Sequence, residues 1–133
     1  MNKVYVVTSG QYSDYGIDAI FTTKELAEKF IDSFLKNYNE MEIEEWDLNP
    51  NEQHLKQNRK PYFLRINKEG NVSDVEQRDS SFGFKQNIPV CNTSYTHDKL
   101  WLNVECFADD ESHAVKIAGE KRTQILASDS WGK

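Results

Sequence analysis

The chain has 133 residues, of which 38% are hydrophobic, 12% aromatic and 29% charged, with a formal net charge of −6. A chain of this length suits one domain, residues 1–133, able to bury roughly two-thirds of the surface it exposes when unfolded, without a metal or disulfide staple. Three Trp, six Tyr and seven Phe exclude a disordered chain, and the mean hydropathy of −0.76 predicts a small core under a well-solvated surface.

The apolar runs, such as Val4 to Val7, are far short of the roughly 20 residues that cross a bilayer. The N-terminus turns polar before any signal-peptide core forms, so a cytoplasmic, membrane-free protein is expected. In a reducing compartment Cys91 and Cys106 read as free thiols. The negative charge is concentrated: residues 1–50 hold four Lys against ten acids, and half of those acids fall between Glu40 and Asp47. Residues 51–133 are balanced, with 12 basic and 12 acidic side chains. Such a surface repels nucleic-acid phosphates and anionic lipid, so a protein partner with a basic surface is expected and direct nucleic-acid binding is not.

In chain order, Lys3–Ser9 is β-branched and aromatic and ends at Gly10, which predicts a buried strand. The turn formers of residues 11–16 and the run Ile17–Phe21 complete a hairpin. Thr22 and Glu25 have the spacing of a capping box, and Leu26, Ala27, Phe30, Ile31, Phe34, Leu35 and Tyr38 recur at helical intervals, so a helix is expected over residues 23–37. Met41 and Ile43 alternate with acids, and Trp46 and Leu48 are read as continuing that alternation, which gives a half-buried strand with an acidic outer face. Residues 51–60 fit a loop or a short helix. Tyr62–Ile66 and Val72–Val75 flank an Asn67–Gly70 turn as a second hairpin.

From Arg78 to Asp98 the chain is polar over about 20 residues, which means a functional loop, a mobile one, or a concealed strand around Ile88–Cys91. Leu100, Leu102, Val104 and Cys106 alternate on one face of a strand over residues 99–107. Asp109, Asp110 and Glu111 then start a helix over residues 110–126, followed by a polar tail. This order predicts an α+β two-layer sandwich, an antiparallel or mixed sheet with two helices packed on one face. Phe21 with Glu25 and Phe107 with Glu111 form a weak echo that leaves open two similar halves, about 1–50 and 60–127.

No catalytic pattern emerges. Cys91, His97, Cys106 and His113 lack the paired spacing of a tetrahedral zinc site, and no metal or cofactor is expected. There is no Gly-x-Ser-x-Gly turn and no phosphate-binding glycine loop. Cys91 with His97 is the nearest approach to a thiol and a base, and sequence neighbours in a loop rarely hold that geometry. Lys56, Arg59, Lys60 and Arg65 around Tyr62 and Phe63 read as a solvated hairpin edge.

The composition of a recognition loop appears in Tyr12, Ser13, Asp14 and Tyr15, where Tyr gives contact area at low entropic cost. A self-satisfied hairpin turn explains the same residues. Glu42, Glu44 and Trp46 add an acidic, aromatic strand. Lys3–Gly10, Tyr12–Tyr15 and the Phe21–Phe30 run resemble a family of small uncharacterised proteins of phages and prophages of Gram-positive bacteria, over roughly the first 48 residues. That resemblance implies a small accessory protein inside a bacterial cell and transfers no activity.

These observations lead to a non-enzymatic phage accessory protein that binds a host or phage macromolecule, with counteraction of bacterial defence as one such role. The alternatives are a toxin-immunity protein or a small-ligand binder with a pocket between the Tyr12–Tyr15 turn and the 78–98 loop. The exposed strand edges leave a homodimer open.

Overall fold

The strand β1 (Lys3–Ser9), with Val6, Val7 and Thr8 buried in succession, organises the first part of the chain. The computed structural model describes residues 2–35 and 40–133. Two compact units divide these residues, Met1–Asn49 and Pro50–Lys133. The α+β class expected from the sequence is present, with the strands shared between two antiparallel sheets.

In the first unit β1 lies between β2 (Gly16–Phe21) and β3 (Glu42–Asp47), and both pairings are antiparallel. The register sets Val6 opposite Ile20 and Glu44, and Tyr5 opposite Phe21 and Glu45. Opposed residues share a face and successive residues alternate, so the sheet sorts its side chains into two sets. One face carries Tyr5, Val7, Phe21 and Ile43. It receives α1 (Lys24–Asp32), where Ala27 is fully buried and the rings of Phe21 and Phe30 lie 5.4 Å apart. The other face carries Val6 and Thr8 with Glu42, Glu44 and Trp46. A β-bulge between Val7 and Thr8 leaves Asp18 as the extra residue, which brings Ile17 onto the face of Ile20 although they are three apart.

Several expectations change at this level. The N-cap of α1 is Thr23, whose hydroxyl accepts from the Leu26 amide at 3.2 Å; Thr22 and Glu25 do not form the capping box, because Leu26 occupies the third helical position. Leu26 is exposed and does not extend the buried stripe. Helix α1 ends at Asp32, so Phe34 and Leu35 fall outside it and are exposed, and the rest of the expected helix, residues 36 and 37 with the stripe residue Tyr38, lies outside the described residues.

In the second unit the strands run in the order β5 (Val72–Gln77), β4 (Lys60–Asn67), β7 (Trp101–Ala108), β6 (Asn92–Thr96), all antiparallel. Tyr62, Leu64 and Ile66 of β4 and Leu102, Val104 and Cys106 of β7 form the core with Ala114 and Ala118 of α3 (Glu111–Ala127). Asp110 caps α3 by accepting from the His113 amide at 2.8 Å, and His113 Nδ1 accepts from the Asp109 amide at 2.9 Å. Phe107 and Glu111 stand at this strand-to-helix junction, as Phe21 and Glu25 do at theirs.

The short α2 (Glu52–Lys56) resolves the segment left open as loop or helix. The strand expected around Ile88–Cys91 does not form there: β6 begins after Cys91, and Ile88 is a core residue packed with Phe84 and Phe107. Leu100 precedes β7, lies in a turn and is exposed, so it does not join Leu102 in the core.

Buried Asn51 explains why residues 84–88 need no regular structure. Its amide nitrogen donates to the carbonyls of Phe84 and Gln86, and its side-chain oxygen accepts from the Ile88 amide at 2.7 Å. The His54 Nε2 stands 2.7 Å from the Ile88 carbonyl, and its ring stacks on Phe107. These side chains satisfy backbone groups that a ladder would otherwise take. Replacing Asn51 by Ala leaves them unpaired. A stability loss of about 2–4 kcal/mol is expected in denaturant unfolding, with hydrogen exchange accelerated at residues 84–88 first.

Candidate functional site

Gly10 makes the turn after β1 possible. Its φ is +84°, and a Cβ there would stand 2.2 Å from the Asp14 carbonyl oxygen. The chain folds through a single 3-10 turn, Tyr12–Asp14, closed by Asp14 N–H to Gln11 O at 3.0 Å and Tyr15 N–H to Tyr12 O at 3.2 Å. These bonds are made by backbone alone. Among the described residues the side chains of Ser13 and Asp14 enter no hydrogen bond, so the turn does not consume the groups that a self-satisfied Asx turn would use.

Tyr12 is 95% exposed with φ +53°. A bulky residue in the left-handed region costs on the order of 1–3 kcal/mol, and displaying its ring to water forgoes the burial an aromatic normally gains.

Tyr15 closes the turn and points to the strand. Its hydroxyl donates to Glu44 Oε2 at 2.5 Å, and Trp46 Nε1–H donates to Glu44 Oε1 at 3.1 Å. Tyr15, Glu44 and Trp46 are thus brought together by one carboxylate. The bond from Tyr15, then that from Trp46, holds the Glu44 carboxyl below the usual carboxylate range. The same bond raises the Tyr15 phenol above 10, and the charge of Glu42 adds to the shift. Of the two acids, Glu44 organises the surface from within. The Glu42 carboxylate accepts no hydrogen bond among the described residues and is exposed. A recess of about 200 Å³ lies beside the turn, lined by residues 8–11 with Tyr15, Glu40 and Glu42.

The strand expectation is corrected in one respect. Trp46 shares the face of Glu42 and Glu44, opposite to Ile43, because Trp46 lies three positions after Ile43 and a period of two then changes face. Acids stand on both faces of β3: Tyr5 donates to Glu45 at 3.2 Å, and Lys3 pairs with Asp47 at 2.5 Å. Trp46 is the residue whose placement sequence reasoning missed, and counting its parity from Glu42 would have found it.

The second unit offers other chemistry-bearing side chains without an arrangement that uses them. Cys91 packs against the core while His97 lies beyond the other end of β6, about 17 Å of strand away, so they form no dyad. No cluster of three or more His, Cys, Asp or Glu side chains among the described residues is placed to hold a metal ion. Arg65 and Arg78, near Phe63, are engaged with Asp74 and Glu76. A shallow groove of about 650 Å³ runs along α3, with Ile66, Val72, Val115 and Gly119 in its lining. The Tyr12–Tyr15 turn belongs to the first unit and residues 78–98 to the second. No helix among the described residues is long and apolar enough to cross a membrane.

A family model described as a domain of unknown function (DUF7336) matches residues 2–56, which takes in the first unit and continues through α2. No curated protein and no solved structure matches the chain.

Two outcomes follow from this geometry. Gly10→Ala forces the Asp14 carbonyl away and is expected to destabilise the first unit by more than about 1 kcal/mol, measured by unfolding. The Tyr15 shift works with a definite sign: a phenol held neutral stabilises the fold below its ordinary value near 10, and that contribution is lost as pH rises through the higher folded value. In Glu44→Gln the Tyr15 ring resonances, followed by NMR, are expected to titrate closer to 10. In acid the sign reverses: the bonds to Glu44 stabilise the fold above its ordinary value of 4.5 and are lost as pH falls below it.

Proposed function

We propose that the chain is a non-enzymatic binding protein whose first unit presents Tyr12, Ser13, Asp14 and Tyr15, with Glu42, Glu44 and Trp46, to a protein partner with a basic surface. The observation that carries this reading is the solvent display of Tyr12 on a turn that Gly10 permits and Tyr15 anchors. Strain and aromatic exposure at one residue are expected where a partner repays both. The concentration of acids in residues 1–50 supports the sign of the partner, since an acidic surface speeds encounter with a basic one and disfavours nucleic acid.

The setting we propose is the cytoplasm of a bacterial host, where the protein serves a phage or prophage as an accessory factor against a defence or another host function. The N-terminal resemblance supports this setting. A basic toxin as the captured partner would make the chain an immunity protein. The recess beside Tyr15 favours one second reading, a small ligand held by Glu42 and the backbone of residues 9–11.

Capture from bacterial lysate, followed by affinity measurement on the recovered partner, tests the proposal. Tyr12→Ala with Tyr15→Ala is expected to weaken binding at least tenfold, about 1.4 kcal/mol, while leaving thermal unfolding of the second unit unchanged. Recovery of no partner above a charge-matched control, with a retained ligand of a few hundred daltons (roughly drug-sized) in native mass spectrometry, would replace it with the second reading.

A further inference from the structure

We infer that Cys91 and Cys106 form a redox modification site, at which peroxide closes an intramolecular disulfide tying residues 80–91 to β7. The register of the β6–β7 pair carries the inference. Asn92 opposite Glu105 is the last pair of the antiparallel ladder, and the same register carried one position beyond it sets Cys91 against Cys106. Residues opposed in this way have Cα atoms about 4.5–5.5 Å apart, inside the roughly 4.4–6.8 Å that a disulfide spans. They also point to one face. Cys106 is fully buried in the core cluster against α3, and Cys91 packs against that same cluster. Both are free thiols.

The two sulfurs are unequal in access, which gives them an order of reaction. Cys91 is partly exposed and meets the oxidant first, whereas Cys106 has no exposed surface. The Cys91 thiolate attacks one oxygen of hydrogen peroxide, forming a sulfenic acid and releasing hydroxide, which takes up the thiol proton as water. The Cys106 sulfur then attacks the sulfenic sulfur, the S–S bond forms, and a second water leaves with the remaining proton. Two thiols are oxidised by two electrons and one peroxide is reduced to two waters.

Burial raises both thiols above the usual range, an effect that Lys121 partly offsets at Cys91. The reaction is accordingly slow, and the site records sustained oxidant exposure. Its consequence is structural. Residues 84–88 are held by Asn51 and His54, and among the described residues β6 is an edge strand paired with β7 alone. A Cys91–Cys106 bond adds a covalent tie where that segment enters the edge strand.

The full chain is exposed under native conditions to hydrogen peroxide at a dose that fully oxidises free glutathione, then quenched and measured by non-reducing intact mass and thiol titration. The expected product is a monomer that has lost both thiols and the mass of two hydrogen atoms, with one linked peptide carrying residues 91 and 106. Hydrogen exchange over residues 82–96 is expected to slow and to recover with dithiothreitol. Cys91→Ser and Cys106→Ser are expected never to show the two-hydrogen loss as monomers. A wild-type chain that keeps both thiols, takes up oxygen at either sulfur without closing the bond, or crosslinks only between molecules would overturn the inference.

Discussion

One carboxylate, that of Glu44, joins the two parts of the candidate binding surface. It accepts from the hydroxyl of Tyr15 on the turn and from the indole of Trp46 on the strand. Because Glu44 stands opposite Val6, the register of β1 with β3 decides which aromatic side chains it can gather. A slip of one residue would send Glu44 and Trp46 to the helix side and leave Tyr15 without its acceptor. The surface is therefore a product of sheet register as much as of the residues that compose it.

The division of labour between the acids follows. Glu44, Glu45 and Asp47 are tied to Tyr15 and Trp46, to Tyr5 and to Lys3 respectively, and they fix β3 to its neighbours. Glu42 keeps its carboxylate for other use beside the recess, and Ser13 and Asp14 keep their side chains on the turn. An acid held by two hydrogen bonds and flanked by uncommitted polar groups gives a partner a stiff surface, so little order has to be imposed when it binds.

Much of this was legible in the sequence where composition, turn residues or a cap marks an element. The strand at Lys3–Ser9, the hairpin at residues 62–75 and the helix after Asp110 follow from β-branched composition, turn residues and capping respectively. Legibility failed where one residue changes a parity or where tertiary hydrogen bonds replace local ones. Trp46 lies on the face of Glu42 and Glu44, a parity that counting from Glu42 gives and the pairing with Val4 shows. Residues 84–88 carry no pattern because their order comes from Asn51 and His54, about 30 or more positions earlier. Asn51 itself resembles any loop polar residue, and its positive φ of 62° and burial arise only in the fold. The division of the described strands into two sheets is likewise a matter of pairing, on which strand patterns are silent.

The binding surface is tested most directly by NMR of the isotopically labelled full chain titrated with its captured partner. The account predicts that shifts and broadening concentrate at residues 10–16 and 42–47, with the Trp46 indole resonance among the first to move. Perturbations confined to residues 60–127, with the Tyr12–Tyr15 turn and the Trp46 indole unchanged, would contradict it.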